Sequence, residues 1–245
     1  MTSIAMPGDP IPVSDLPDAE TVFENYIEAI GGREAVFGIE SRRFNGRVQI
    51  EVTPEDGEPL LQRGRVITHA AAPNLLVQDV IFPGVQSIRT YFDGSRGWRE
   101  TDTGDTTLLE GEELSRISNS ANFYQLADYK NHFTRYSVVG GADEDGTRVA
   151  RIDAEFSSGR IESYIFSLDS WLLIAVLTDR QIPDGARAAL VRQYQDYQEH
   201  DGVFYPMRTT EKYGNVVLAF EIQSIETNVV IPAIEPPALL DSRGE

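Results

Sequence analysis

The chain contains no cysteine. That absence excludes disulfides, thiolate metal sites, a cysteine nucleophile and acylation at a lipobox. It leaves the compartment open, because cysteine-free proteins occur on both sides of a membrane. Lysine is almost as scarce: of 21 basic residues only Lys130 and Lys212 are lysine. The three histidines, His69, His132 and His200, form neither an HExxH nor an HxH spacing, so no metal-ligand motif is present. No apolar run approaches the ~18 residues that a spanning helix needs. The opening MTSIAMPGDPIPVSDLP lacks the basic stretch and the apolar core of a signal peptide. The expectation is either a cytoplasmic chain or numbering that begins after a removed signal.

Positive charge is also in deficit. Against 39 acidic residues the formal net charge is -18. Such a surface repels nucleic acid and anionic headgroups, which argues against a nucleic-acid partner. What is present is an ordinary soluble composition, 41% hydrophobic and 24% charged over 245 residues, enough for a core of useful size.

The chain opens with a proline-rich, polar stretch, and residues 1–14 are expected to form a loose tail. Ala19, Val22, Phe23, Tyr26, Ile27 and Ile30 then recur at the spacing of one helical face. Ser14 or Asp15 is a candidate cap, Pro17 suits the first turn, and Gly31-Gly32 ends the helix. A short second helix is expected over Arg33 to Phe37. Beyond it the period changes to two. In SRRFNGRVQIEV the even positions Phe44, Val48, Ile50 and Val52 are apolar, and Arg43, Asn45, Arg47, Gln49 and Glu51 are polar. That alternation marks a strand with one dry and one wet face. The same reading applies to Arg148 to Phe156 and to Val216 to Ile222. Turns rich in Asp-Gly and Gly-Asn separate about a dozen such strands, mostly antiparallel neighbours. The one long interruption, Glu110 to Lys130, reads as a broken helix or two short ones. One domain over 15–235 and a C-terminal tail over 236–245 complete the expected organisation.

Chemistry-bearing motifs are missing. Gly94-Ser95-Arg96-Gly97 resembles a nucleophile elbow only at first glance. The elbow needs Gly-x-Ser-x-Gly between a strand and a helix, whereas here Gly94 is adjacent to Ser95 and both flanks read as strands. Ser95 is therefore expected to be a solvated turn residue. ADEDG, Ala142 to Gly146, lacks the later acidic positions of a calcium loop. Arg99-Glu100 and Glu112-Glu113 are paired charges that nothing selects in so acidic a chain. No glycine-rich phosphate loop precedes a helix. The sequence offers no catalytic residue, no cofactor and no metal site.

Several fragments in order carry a resemblance. They are YIEAIGGREAVFGIES (Tyr26 to Ser41), APNLLVQDVIFPGVQSIRTYFDGSRGW (Ala72 to Trp98), IESYIFSLDSWLLIAV (Ile161 to Val176) and YQDYQEHDGVFYPMRTTEKY (Tyr194 to Tyr213). The more telling are Phe-Asp-Gly-x-x-Gly-Trp, and Asp-Tyr-x-x-x-Asp-Gly-x-x-Tyr-Pro over Asp196 to Pro206. Together they are similar to the bacterial outer-membrane lipoprotein-sorting family, the LolA-like proteins, across about residues 19 to 232. The resemblance implies a mainly β fold: an incomplete antiparallel β-barrel, a strongly curved sheet of about 11–13 strands with helices covering its concave face. It also implies a non-enzymatic carrier or envelope-associated sensor in the periplasm or cell envelope. The chain departs from the sorting proteins in its lack of a visible signal peptide and in its larger acidic excess.

A sheet with one dry face needs a cover, and the N-terminal helix and the Glu110 to Lys130 segment are the candidates. If they leave space, a hollow remains for a hydrocarbon chain. At about 0.8 kcal/mol per methylene, ~10 buried methylenes give roughly 8 kcal/mol before ordering costs. The candidate lining residues are Phe44, Val48, Ile50, Phe82, Trp98, Phe123, Tyr124, Trp171 and Phe220. Arg43 and Arg47 could meet an acidic headgroup, although a solvated outer face is the simpler expectation. The expected partner is a lipid or lipoprotein acyl chain, with an envelope partner protein also conceivable, and the chain is expected to be a monomer. Two alternatives stand: a hydrolase or isomerase using the same hollow, which a buried acid beside His69 would favour, and a structural or interaction domain with a filled core.

Overall fold

The structure, a computed structural model, describes residues 8–54, 56–144, 146–181 and 187–235. In chain order the elements are β1 (Asp9–Ile11), a 3-10 turn (Val13–Asp15), α1 (Ala19–Ala29), α2 (Gly32–Phe37), β2 (Ser41–Val52), β3 (Leu60–Ala71), β4 (Leu75–Phe82), β5 (Gln86–Phe92), β6 (Gly97–Thr101) and β7 (Thr106–Leu109). There follow α3 (Gly111–Ala121), a 3-10 turn (Gln125–Asp128), α4 (Tyr129–His132), β8 (Arg135–Glu144), β9 (Thr147–Glu155), β10 (Ile161–Ser167), β11 (Leu173–Gln181), β12 (Arg187–His200), β13 (Val203–Tyr213) and β14 (Val216–Thr227). The strands form one antiparallel sheet in the order β1-β8-β9-β10-β11-β12-β13-β14-β2-β3-β4-β5-β6-β7. Among the described residues there are fourteen strands, against the eleven to thirteen expected. The sheet is not closed: β1 and β7 are its two edges.

Part of the difference lies at the N-terminus. Asp9–Ile11, read as loose tail, pairs with β8 through Asp9↔Asp143 and Ile11↔Gly141. Residues 1–7 and 236–245, also assigned to tails, lie outside the described residues. The α1 cap is likewise not Ser14 or Asp15, since Asp15 closes a separate 3-10 turn. Asp18 takes that role, its carboxylate accepting from the Thr21 N–H at 2.7 Å.

The chain divides into two compact units. Among the described residues, one comprises those within 8–36 and 126–217, the other those within 37–125 and 218–235. In the first, α1 buries Ala19, Val22, Phe23 and Ile27, each large apolar side chain worth about 1.5–3 kcal/mol when fully removed from water. Phe23 stacks on Tyr129 at 4.6 Å and meets Phe166 edge-on at 5.7 Å. Phe166 opposes Ala150, and the next pair along, Tyr164 and Ile152, lies on the same face. The C-terminus of α1 rests on the β12–β13 turn, where the Phe204 N–H donates to the Ile30 carbonyl at 2.9 Å.

In the second unit α3 lies over the sheet. A Cβ on Gly97 would sit 3.0 Å from Ile117 Cγ2 and 3.3 Å from Leu114 Cδ1, so the bare glycine admits the helix. Gly97 opposes both Phe92 and Leu109, which are buried. This contact identifies the helix-covered face and sets the reference for every other residue on β2 to β7.

Candidate functional site

Residues directly opposite one another in an antiparallel pair share a face. On β2 to β7 the face under α3 includes the line Ala70, Leu76, Phe92, Gly97 and Leu109. Arg42 opposes Ala70, so Arg42, Phe44, Val48 and Ile50 lie on this face too. Val48 is buried, whereas Phe44 and Ile50 are half-buried. Val48 opposes Gly64, and a Cβ on Gly64 would fall 2.8 Å from Phe82 Cδ1. The Phe82 ring therefore lies across Gly64 beside Val48. On β14 the successive exposed residues Gln223 and Ser224 break the alternation. Ser224 accepts from Asn45 at 3.0 Å, and the Gln223 amide, turned so that its oxygen meets the donors, lies 3.2 Å from the Arg47 guanidinium. Both contacts fall on the opposite, polar face, which leaves Phe220 on the face of Phe44. The structure thus brings Phe44, Val48, Ile50, Phe82 and Phe220 to one side of the sheet.

Phe123 and Tyr124 join them through the chain that follows α3. The Phe123 N–H donates to the Pro73 carbonyl at 3.0 Å. Its ring meets Tyr124 edge-on at 5.2 Å, and Tyr124 packs on Phe37 at 4.5 Å. Burial, assisted by Glu40, pushes the Tyr124 phenol above its ordinary value. The residue that organises this corner is Arg42, whose guanidinium lies over both Phe123 and Phe44. Arg42 is absent from the sequence-based set. Its signal was the parity it shares with Phe44 and Val48, which set it apart from Arg43 and Arg47.

Trp98 does not belong to this face. It opposes Tyr91, which opposes Val77, then His69 and Arg43. Its full burial, with the ring stacked on Tyr91 at 5.0 Å, is achieved on the other side of the sheet. Sequence reasoning grouped it with Phe44 because both are aromatic, and a turn of unknown register separated the two parities. Trp171 lies in the other unit, in the β10–β11 turn, with a left-handed φ of 60°.

His69 shares the Trp98 side. Burial and the Arg43 charge hold its pKa below the ordinary value, against Asp79 and Glu226. The nearby Asp79 is ion-paired with Arg89, and Glu226 lies 3.4 Å from Arg43. An acid does stand near His69, but it is engaged by an arginine and faces away from the apolar set. Arg43 and Arg47 lie on the Trp98 side of the sheet, Arg47 exposed and Arg43 half-buried. Ser95 is exposed, its N–H and hydroxyl both directed at Asp93 Oδ1, at 2.9 and 3.0 Å. Of the ADEDG stretch, Asp145 lies outside the described residues, and the Gly146 N–H donates to Asp143 at 2.9 Å between β8 and β9.

The first unit places charge on its own helix-covered face. Tyr164, Val176, Arg192 and Glu211 oppose one another across β10 to β13. Arg192 donates to Glu211 at 2.6 Å, and Glu162 receives both Arg160 at 2.6 Å and the Tyr164 hydroxyl at 2.9 Å. Burial pushes the Tyr164 phenol well above its ordinary value. Each carboxylate is held by a guanidinium, and no serine, cysteine or histidine takes part in these bonds. The arrangement is an internal ion-pair network rather than an acid–base dyad.

No family model matches the sequence, and no curated protein sequence does so either. Solved structures do. A DUF1329 family protein from Desulfovibrio piger superposes with a TM-score of 0.58 at 9% identity, over 87% of this chain and 94% of that one. A putative outer membrane lipoprotein-sorting protein domain from Vibrio parahaemolyticus gives 0.58 at 10% identity, over 87% and 95%. A LolA superfamily protein from Nitrosomonas europaea gives 0.57 at 12% identity, over 88% and 96%. At these identities the likeness establishes the fold, which is LolA-like as the sequence motifs implied.

Proposed function

We propose that the chain binds a lipid or lipoprotein acyl chain on the α3-covered face of its second unit, without catalysis, as a carrier or envelope-associated sensor. The observation that carries this reading is the grouping of Phe44, Val48, Ile50, Phe82 and Phe220 on one face, several of them only half-buried. Half-buried apolar side chains on a sheet face are the contacts that a hydrocarbon chain would complete. The LolA-like fold supports the reading, since two of its structural neighbours are described as lipoprotein-sorting or LolA superfamily proteins. The same likeness supports a periplasmic or envelope location.

Native mass spectrometry of protein purified gently from a lipid-containing host tests it. A co-purifying mass in the lipid range is the expected result. An apo protein that also takes up no fluorescent fatty acid would overturn it.

A further inference from the structure

The α3-covered face is not uniformly apolar. Phe44 opposes Thr68, Thr68 opposes Gln78, Gln78 opposes Thr90, and Thr90 opposes Arg99. Four polar side chains therefore form one line across β3 to β6. Two residues along each strand in one direction lies the line Ala70, Leu76, Phe92 and Gly97 beneath the helix. Two residues in the other direction lie Val66, Val80 and Ile88, all half-buried. At ~3.3 Å per residue the polar line runs roughly 7 Å from each apolar line.

Threonine is common in strands for its own reasons, but glutamine and arginine on a helix-covered face need partners. Within the line Gln78 Nε2 donates to Thr68 Oγ1 at 3.1 Å. That bond leaves the Thr68 hydroxyl proton, the second Gln78 amide proton, Gln78 Oε1 and the Thr90 hydroxyl without a partner among the described residues. Thr68, Gln78 and Thr90 are all half-buried, so they remain open to a ligand. The line thus offers neutral donors and a neutral acceptor. Its one cation, Arg99, stands 3.8 Å from Glu113 in the first turn of α3. The other cation of the face, Arg42, is turned onto the Phe123 ring and carbonyl.

We infer that Thr68, Gln78 and Thr90 recognise the neutral polar linkage of an amphiphile, an acyl ester or amide, whose hydrocarbon runs along Val66, Val80, Ile88 and Phe82. This rests on the proposed binding of an acyl chain and specifies its chemistry. Hydroxyl and amide protons suit an ester or amide carbonyl, and Gln78 Oε1 suits a hydroxyl or N–H beside it. Among the described strand residues of this face the cations are Arg99 and Arg42, which Glu113 and Phe123 already engage, and this disfavours an ionised carboxylate.

Displacement of bound N-phenyl-1-naphthylamine tests the assignment on the full chain. The competitors are monolauroylglycerol, laurate and dodecane, which carry chains of equal length. Wild type should bind the glycerol ester more tightly than laurate or dodecane. Gln78→Leu should weaken the ester about tenfold and Thr90→Val about fivefold, the loss of one or two neutral hydrogen bonds, with dodecane unchanged or tighter. The two variants are independent, so either alone decides if the other does not fold. An ester-to-dodecane ratio unchanged in the folded variants overturns the assignment, as does tighter binding of laurate than of the ester. Wild-type protein that takes up neither the reporter nor any competitor instead removes the acyl-binding proposal itself.

Discussion

The Arg42 guanidinium lies 4.4 Å from the centre of the Phe123 ring and donates to the Phe123 carbonyl at 3.3 Å. One side chain of β2 thereby holds both the ring and the backbone of the segment that leaves α3. Lysine, with a compact ammonium, does not combine a ring contact and a carbonyl bond in the way the broader guanidinium does. It fixes the position of Tyr124, which packs edge-on against the same ring.

Arg42→Met should therefore loosen that segment while leaving the strand intact. The lost cation–π contact and hydrogen bond are together worth about 1–2 kcal/mol. Hydrogen exchange at Phe123 and Tyr124 should quicken several-fold, and Arg42→Lys should recover only part of the protection. Unchanged exchange at those two amides in Arg42→Met would show that the Pro73 bond alone holds the segment.

Gly31 makes a second contact that its residue type dictates. Its φ is 123°, and an added Cβ would run into the Gly202 carbonyl oxygen, which is backbone and cannot swing aside. Gly31→Ala should cost more than about 3 kcal/mol. Gly214→Ala, at a φ of 53° with open space around it, should cost about 1 kcal/mol. Chemical denaturation of the two variants in parallel measures the difference, and equal losses would place the cost in the φ angle alone.

Much of this was legible in the sequence where period and punctuation agree. The two-residue alternation of SRRFNGRVQIEV assigned Phe44, Val48 and Ile50 to one face, and the register confirms it. The Asp93-Gly94 turn assigned Ser95 to solvent. Trp98 escaped because a sequence gives parity within a strand but not across a turn, and the turn from Phe92 to Gly97 reset it. The polar line Thr68–Gln78–Thr90–Arg99 escaped for the same reason, since its four members lie on four strands and become neighbours only through register. β1 escaped because three residues are too few to show a period, and its pairing depends on the distant β8.

The Asp93 turn gives a graded prediction. Asp93 Oδ1 accepts from the backbone N–H groups of Ser95 and Arg96, at 2.9 and 2.7 Å, while Oδ2 meets Arg96 Nε at 3.1 Å. Burial works against the charge, but these bonds prevail and hold the carboxyl below its ordinary value. Asp93→Ala should cost about 1–2 kcal/mol, and Ser95→Ala no more than about 0.5 kcal/mol. Thermal unfolding of both variants checks the order. A larger loss from Ser95→Ala than from Asp93→Ala would reverse it.

His132 sets a pH dependence. Burial lowers its pKa against the opposing pull of Asp128, and Arg160 lowers it further. Its ring sits between Phe133 and Phe156, at 4.7 and 5.2 Å. A histidine depressed in the folded state is protonated first in the unfolded chain. Stability is therefore lost as pH falls below about 6.5 and continues to fall until the folded pKa is reached. His69, depressed by burial and Arg43, acts with the same sign. The melting temperature should drop between pH 7 and 5, and His132→Gln should flatten that slope. Carboxylates depressed in the folded state, such as Asp93, take effect only below about pH 4 and do not confuse this window. An identical slope in His132→Gln would assign the effect elsewhere.

The assignment of faces is open to a direct test with one aromatic residue from each side. Phe82 lies across Gly64 on the α3-covered face, half-buried, while Trp98 is fully buried on the opposite face against Tyr91. If an acyl chain lies where Phe44, Val48 and Phe82 converge, a carboxylate introduced at Phe82 must be desolvated by the incoming hydrocarbon or must exclude it. Phe82→Glu should therefore weaken uptake of a fluorescent fatty acid by about tenfold or more, a change of at least ~1.4 kcal/mol. At a half-buried position the variant should still fold, which its melting curve would establish. Trp98→Phe keeps an aromatic ring stacked on Tyr91 and removes only the indole remainder, so it should lower stability by about 1–3 kcal/mol without changing uptake. The opposite pattern, impaired uptake in Trp98→Phe and normal uptake in Phe82→Glu, would move the ligand to the other side of the sheet. There it would meet His69 and the Arg43–Glu226 and Arg89–Asp79 ion pairs, and polar contacts rather than hydrocarbon packing would govern recognition.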